Sequence, residues 1–139
     1  MTRKVREIMS AAPVCMAAGE SVSAAAKAMK ERGIGTVLVL SGGRFSGLVT
    51  DRDITIRVLA EYRDPRTTRL GDICGSELAV LRPDDDVETA IRIVRDRAVR
   101  RLAVVADGTP VGVVSIGDLA LDQDERSARS QIPASGPNR

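Results

Sequence analysis

Gly47-Leu48-Val49-Thr50-Asp51-Arg52-Asp53 occurs twice in this chain. Its second copy is Gly112-Val113-Val114-Ser115-Ile116-Gly117-Asp118, 65 positions later. Each copy runs glycine, two aliphatic residues, a hydroxyl residue, two free positions, then aspartate. An apolar run of strand character thus meets residues suited to opening a helix. The hydroxyl-x-x-Asp pair has two readings. It matches a capping box, in which the hydroxyl and the carboxylate satisfy backbone amides at a helix start. It also presents a carboxylate and a hydroxyl beside free helix amides, an arrangement suited to a polar or anionic ligand.

The repeat extends well beyond the motif. Shifting the chain by 65 aligns Val5–Ile54 with Leu70–Leu119 without a gap. Nine positions are identical: Ile8/Ile73, Val22/Val87, Ala25/Ala90, Arg32/Arg97, Val39/Val104, Gly43/Gly108, Gly47/Gly112, Val49/Val114 and Asp53/Asp118. Nine identities alone would be weak. The ungapped register also keeps the hydrophobic pattern and the turn glycines, and that marks a tandem duplication.

Each repeat reads as a short helical lead-in followed by β-α-β-β-α. The lead-ins are Val5–Met9 and Leu70–Cys74, and the first strands are Val14–Met16 and Ala79–Leu81. The first helices span about Val22–Arg32 and Val87–Arg97. Apolar residues at Val22, Ala25, Ala26 and Met29, and at Val87, Ala90, Ile91 and Val94, follow helical spacing. Ser21 is a candidate N-cap and Gly33 a candidate left-handed stop. Asp84, Asp85 and Asp86 fall where a helix dipole favours acids. Gly42-Gly43 and Asp107-Gly108 separate apolar runs and predict hairpins. The last helices run from Asp51 to about Tyr62 and from Ile116 onward. The repeats occupy 3–62 and 70–121, with a Pro65-containing linker at 63–69. The polar stretch 122–139 is read as a tail. Its first part, to Arg129, is suited to extending the last helix, and Ser130–Arg139 is expected to be irregular.

Composition narrows the function. Hydrophobic residues make up 43% of 139 positions, while Phe45 and Tyr62 are the only aromatics, so the core must be aliphatic. The stacking platforms of single-strand nucleic-acid binders are missing. Net charge is +2, from 21 basic and 19 acidic residues that are interspersed, a mixed surface and not a polyanion-binding one. Nucleic-acid binding is not expected. Cys15 and Cys74 read as small apolar thiols in a reducing compartment, with a disulfide or thiolate metal site as the alternatives. The N-terminal residues lack the apolar segment of a signal peptide, and no run is long enough for a membrane span. A soluble, cytoplasmic protein is expected.

The duplicated β-α-β-β-α unit, the lead-in turns Glu7-Ile8-Met9 and Asp72-Ile73-Cys74, and the twofold Gly-h-h-Thr/Ser-x-x-Asp junction resemble the CBS domain pair, or Bateman module. Val99–Val105 is also similar to that family's second strand. The resemblance covers about residues 3–121 and is closest in type to stand-alone bacterial CBS proteins of stress or hypoxic response. It implies an α/β (α+β) fold of two repeats packed with pseudo-twofold symmetry, leaving two clefts. It further implies that such clefts bind adenosyl ligands: AMP, ADP, ATP, S-adenosylmethionine or NAD. Carried onto this sequence, Asp53 and Asp118 would hold ribose hydroxyls, with Thr50 and Ser115 near ribose or phosphate. Arg52, Arg100 and Arg101 are candidate phosphate contacts, and Ile116 is suited to covering an adenine. Asp51 and Arg52 become Ile116 and Gly117 in the second copy, so unequal sites are expected. The family often has proline in the second strand, where this chain has Leu38 and Ala103. It also sometimes uses histidines, which this chain lacks.

The function expected is therefore a regulatory module that binds an adenosyl ligand and signals through partner contacts, with no cofactor required. The alternative is a ligand-free structural or interaction protein of stress response, in which the motif only caps helices. With no histidine, no activated nucleophile and no metal cluster in view, an enzyme is not expected. The resemblance implies a homodimer. The surface proposed for it comprises Ile54, Val58 and Leu59, with Leu119 and Leu121, residues equally suited to packing within the pair.

Overall fold

The computed structural model describes residues 3–75 and 79–135, and the side chains of 3–75 and 79–128. The chain begins with α1 (Val5–Ile8), β1 (Ser10–Ala11) and β2 (Cys15–Ala17). Then come α2 (Val22–Arg32), β3 (Thr36–Ser41), β4 (Arg44–Thr50) and α3 (Asp51–Ile54), which continues as a π-helical turn over Thr55–Leu59. The second repeat supplies α4 (Leu70–Ile73), β5 (Val80–Leu81), α5 (Val87–Arg97), β6 (Arg101–Ala106), β7 (Thr109–Ser115) and α6 (Ile116–Ser135).

Local chemistry explains the regular parts. In α2, Val22, Ala25 and Met29 are buried along one stripe. Ser21 Oγ accepts the Ala24 amide at 3.1 Å, and Gly33 ends the helix at φ 64°. In α5 the same left-handed stop falls on Ala98, at φ 54°. Of its three leading aspartates, two pair with the N-terminal segment and one closes its own loop, and Asp86 at the N-cap makes no side-chain cap. Asp86 accepts from Lys4 Nζ at 2.9 Å, Asp84 pairs with Arg6, and Asp85 accepts the Arg82 amide. Both hairpins turn through two positive-φ residues, Gly42-Gly43 and Asp107-Gly108, which suits the right-handed strand twist. Both also slip register at one place, between Val39 and Leu40 and between Val104 and Val105. The extra residue of each bulge, Ser46 or Val111, directly precedes the motif glycine.

Two sheets result, ordered β2-β3-β4 and β1-β7-β6-β5. The strand β1 belongs in sequence to the first repeat, yet it pairs antiparallel with β7 of the second. The lead-in before it does the same. Val5 sits fully buried in the second core, beside Leu81, Val87 and Leu102. Conversely Leu70 and Ile73 are buried in the first core, beside Val22, Val37 and Val58. The backbone contacts of this exchange repeat at the 65-residue shift. The amide of Val5 donates to Asp85 O and that of Leu70 to Glu20 O. Arg6 donates to Pro83 O and Gly71 to Ala18 O, while Val87 donates to Arg3 O and Val22 to Thr68 O. Contacts that run reciprocally in this way make the repeats pseudo-twofold partners.

Three expectations need correction. The last helix of the first repeat is not a regular helix to Tyr62, because the π turn ends it at Leu59. Helix α6 continues through Ser130–Ser135, where irregular chain was expected. The remaining tail positions, 136–139, lie outside the described residues. Most of the proposed dimer surface is internal: Val58 is fully buried, Leu119 is buried, and Ile54 packs against the first core. Only Leu59 and Leu121 of that set are exposed. Among the described residues no helix is long and apolar enough to cross a membrane.

Candidate functional site

Both strand-to-helix junctions form complete capping boxes. Asp53 N donates to Thr50 Oγ1 at 3.1 Å, and Thr50 N donates to Asp53 Oδ2 at 2.8 Å. Asp118 N donates to Ser115 Oγ at 3.1 Å, and Ser115 N to Asp118 Oδ2 at 2.8 Å. The capping reading therefore holds for both copies. It uses only one carboxylate oxygen of each aspartate.

The second oxygens differ. Asp53 Oδ1 lies 3.8 Å from Arg57 Nε, one helical turn on. Arg57 also donates to the Ile73 carbonyl. The position equivalent to Arg57 in the second repeat is Asp122. Its buried carboxylate is drawn to Arg3 of the N-terminal segment at 2.7 Å. Asp118 Oδ1 has no partner among the described residues.

The motif glycine has a packing reason. A Cβ on Gly112 would meet Met9 Sδ, and would stand 3.0 Å from the carbonyl oxygen of Ser10. The exchanged strand β1 pairs with β7 at this point, Ala11 opposite Gly112, so only glycine leaves it room.

One cavity at the junctions, about 200 Å³, sets Asp118 beside Arg3, Asp122 and Glu125, and three others lie where the motifs meet the strands. The largest, about 740 Å³, is a groove between the two helix starts. It brings together Thr50, Arg52, Asp53, Arg100, Arg101, Ser115 and Ile116, seven of the eight residues singled out from the sequence. The eighth, Asp118, lies in an adjoining cleft of about 250 Å³ that includes Val14, Ile34, Thr36 and Val113. A third cleft, about 210 Å³, holds Asp53 with Leu48, Ala79 and Val99. At the 65-residue shift Val14, Ile34, Thr36 and Val113 correspond to Ala79, Val99, Arg101 and Leu48. The two smaller clefts are thus pseudo-symmetric, and each combines one repeat's motif with the other repeat's strands. Arg101 borders all three cavities.

Arg101 is also the bridge between the repeats. Its guanidinium donates to the Gly35 carbonyl at 3.3 Å and to Asp51 Oδ1 at 3.5 Å. The approach is close: a Cβ on Gly35 would lie 2.9 Å from Asp51 Oδ2 and 3.0 Å from Arg101 Nη2. Asp51, which the second repeat replaces with Ile116, is thus held by an arginine of that repeat. Arg52 and Arg100 have no side-chain partner among the described residues. Thr36, the counterpart of Arg101, was not singled out from sequence. Its Oγ1 is buried and makes no hydrogen bond. A threonine opening a strand gives no sequence signal, and only the 65-residue shift places it opposite a site arginine.

Behind Asp53 lies Cys74. Burial pushes its thiol pKa up, the Asp53 charge adds to this, and Arg57 opposes it. Cys15 is likewise raised, by burial. Both are free thiols. Among the described residues no group of three or more His, Cys, Asp or Glu side chains is placed to hold a metal ion.

Comparison with known proteins agrees with this architecture. The model of the CBS domain matches residues 5–60 and 70–122. The chain is 31% identical over 119 residues to the CBS domain-containing protein YhcV of Bacillus subtilis, covering 86% of this chain and 84% of that protein. The crystal structure of Hypoxic Response Protein I, with two coordinated zinc ions, superposes with a TM-score of 0.76. It is 30% identical, covering 86% of this chain and 98% of that one. A hexameric CBS-CP12 protein from bloom-forming cyanobacteria superposes with a TM-score of 0.80 at 27% identity, covering 98% and 91%.

Proposed function

Since this chain belongs to the CBS domain family, as a tandem pair, we propose that it is a regulatory module whose clefts take an adenosyl ligand. The observation that carries this is the division of labour in the motif carboxylates. Each caps its helix with Oδ2, and Asp118 keeps Oδ1 for a ligand in the adjoining cleft. A carboxylate oxygen with free lone pairs accepts ribose hydroxyls, and aliphatic walls such as Val14, Ile34 and Val113 suit a flat base. Arg52, Arg100 and Arg101 supply positive charge for phosphate in the adjoining groove.

The module acts in the cytoplasm without catalysis, and it signals by self-association or by contact with another protein. Self-association draws support from the hexameric relative. Exposed Ile56, Leu59 and Tyr62 at the end of the π turn offer one apolar surface for it. Likeness to a hypoxic response protein points to a stress-linked role.

The test is thermal melting with AMP, ATP, S-adenosylmethionine and NADH. A ligand present at about 100 times its Kd adds about 2.7 kcal/mol, a rise of several degrees. No shift with any of them rejects the reading. It would favour a ligand-free interaction protein, in which the complete caps serve the fold alone.

A further inference from the structure

A second pair of clefts sits where each last helix meets an exchanged lead-in, and the two are charged differently. The first, about 490 Å³, is bounded by Ile56, Arg57, Arg63, Asp72 and Ile73, with Glu61. The second, about 200 Å³, is bounded by Leu121, Asp122, Glu7 and Ile8, with Arg3, Asp118 and Glu125. At the 65-residue shift Ile56, Arg57, Asp72 and Ile73 correspond to Leu121, Asp122, Glu7 and Ile8. The first cleft sets two arginines against two acids, and the second sets one arginine against four. We propose that the second cleft binds a guanidinium group from outside the chain. This is a site apart from the adenosyl clefts and does not depend on them.

The first reason is that the chain already seats a guanidinium at the equivalent place. Arg57 Nε stands 3.8 Å from Asp53 Oδ1, and Arg57 Nη1 donates to the Ile73 carbonyl at 3.2 Å. Arg63 stands 4.0 Å from Asp72. The second repeat has lost both arginines: position 57 becomes Asp122 and position 63 becomes Ala128. The acids they faced remain, as Asp118 and Glu7. A cleft of the same make thus keeps its acceptors without its donors.

The second reason is the state of Asp122. Its side chain is 1% exposed, and Arg3 Nη1 reaches its Oδ1 at 2.7 Å. Its Oδ2 is buried and makes no hydrogen bond. Arg3 does not make up the deficit, because the same nitrogen is shared with Glu125 at 3.5 Å. A buried carboxylate oxygen left unpaired is costly, and a charged donor is the strongest remedy. A guanidinium presents several N–H groups in one planar fork, so it can meet Asp122 and Glu125 together. The cleft is smaller than the roughly 300 Å³ at which drug-sized ligand pockets begin, which suits a head group. A metal ion does not fit, since among the described residues no three acids are placed to hold one.

Isothermal titration of the full chain with agmatine and with acetyl-arginine amide tests this, with tetramethylammonium as the control. The two guanidinium compounds bind one per chain, and tetramethylammonium, which has no N–H, does not bind. Glu125→Gln weakens binding about tenfold, the loss of a charge-assisted hydrogen bond. It leaves the melting temperature close to wild type, because Glu125 is 51% exposed and its contact with Arg3 is long. Ala128→Arg restores the arginine of the first repeat and weakens binding by about tenfold or more, since the added guanidinium competes from within. Arg3→Ala removes the resident competitor and tightens binding roughly 3- to 10-fold. Tighter binding of agmatine than of the amide identifies a free small molecule as the ligand, and the reverse identifies an arginine side chain of a protein. Failure of both guanidinium compounds to bind would overturn the inference. So would an equal response to tetramethylammonium, an affinity unchanged in both Glu125→Gln and Ala128→Arg, or weaker binding in Arg3→Ala.

Discussion

Val5 and Leu70, equivalent residues of the two repeats, are each fully buried in the core of the other repeat. The lead-ins are exchanged, so neither core is complete without a segment of its partner. This ties the stability of one repeat to the other and holds the clefts between them at a fixed spacing.

Replacing Leu70 with alanine is expected to cost about 3 kcal/mol, the usual loss for a buried leucine. Because the cores are cross-tied, urea unfolding of the variant should remain one cooperative transition at a lower midpoint. Two separated transitions, monitored by circular dichroism and by hydrogen exchange of each repeat, would contradict the coupling. Val5→Ala should behave the same way with a smaller loss.

Gly112→Ala tests the pairing of β1 with β7. The added methyl collides with Met9 and the Ser10 backbone, and the backbone cannot yield as a side-chain tip would. A loss of about 1–3 kcal/mol is expected, as for an overpacked core. Faster amide exchange at Ser10 and Ala11 should accompany it. An unchanged melting temperature would mean that β1 does not dock as described.

Much of this was legible in the sequence because it is local. The bounds of α2 and α5, the Ser21 cap, the Gly33 stop and both hairpin turns follow from residue types a few positions apart. The duplication was legible because insertions have not disturbed the 65-residue register. The exchange of lead-ins was not, because a short amphipathic turn fits either core equally well and only tertiary contact decides. The same holds for the bulges at Ser46 and Val111 and for the π turn at Thr55–Leu59. The dimer surface was misjudged for a related reason: Val58 and Leu119 are needed by their own cores, and a hydrophobic helix face does not state which neighbour it meets. The carboxylates and arginines singled out from the sequence lie together around the groove and its adjoining cleft. Thr36 was not singled out, nor was the role of Asp51 as a partner of Arg101.

The thiols give a pH dependence whose sign is fixed. Cys74 has its pKa raised, by burial first and then by the Asp53 charge, with Arg57 partly opposing. A free thiol in the unfolded chain ionises near pH 8.5. Above that pH the unfolded state loses a proton that the folded state keeps, so stability falls as pH rises. Below about pH 8 this contribution is constant. Urea midpoints from pH 7.5 to 10 should therefore decline at the alkaline end, and less so in Cys74→Ala. Asp53→Asn removes one of the raising influences and should speed alkylation of Cys74 at a given pH. Slower alkylation in that variant would contradict the electrostatic coupling.

Arg101 separates a structural role from a ligand role. Its pair with Asp51 is 3.5 Å long, with side chains 31% and 64% exposed, so the pair contributes less than about 1 kcal/mol to stability. Arg101→Ala should accordingly melt close to wild type. Its guanidinium nevertheless borders both smaller clefts and the central groove. Removing it should weaken AMP about tenfold or more, the worth of a charge-assisted contact, while adenosine, which has no phosphate, loses little. Asp51→Asn should do the reverse, because it frees the guanidinium and removes a negative charge from the groove, so AMP should bind more tightly. Equal losses for AMP and adenosine in Arg101→Ala would show that the arginine only shapes the cleft. A loss of AMP binding in Asp51→Asn would show that the bridge must stay closed for the ligand to bind.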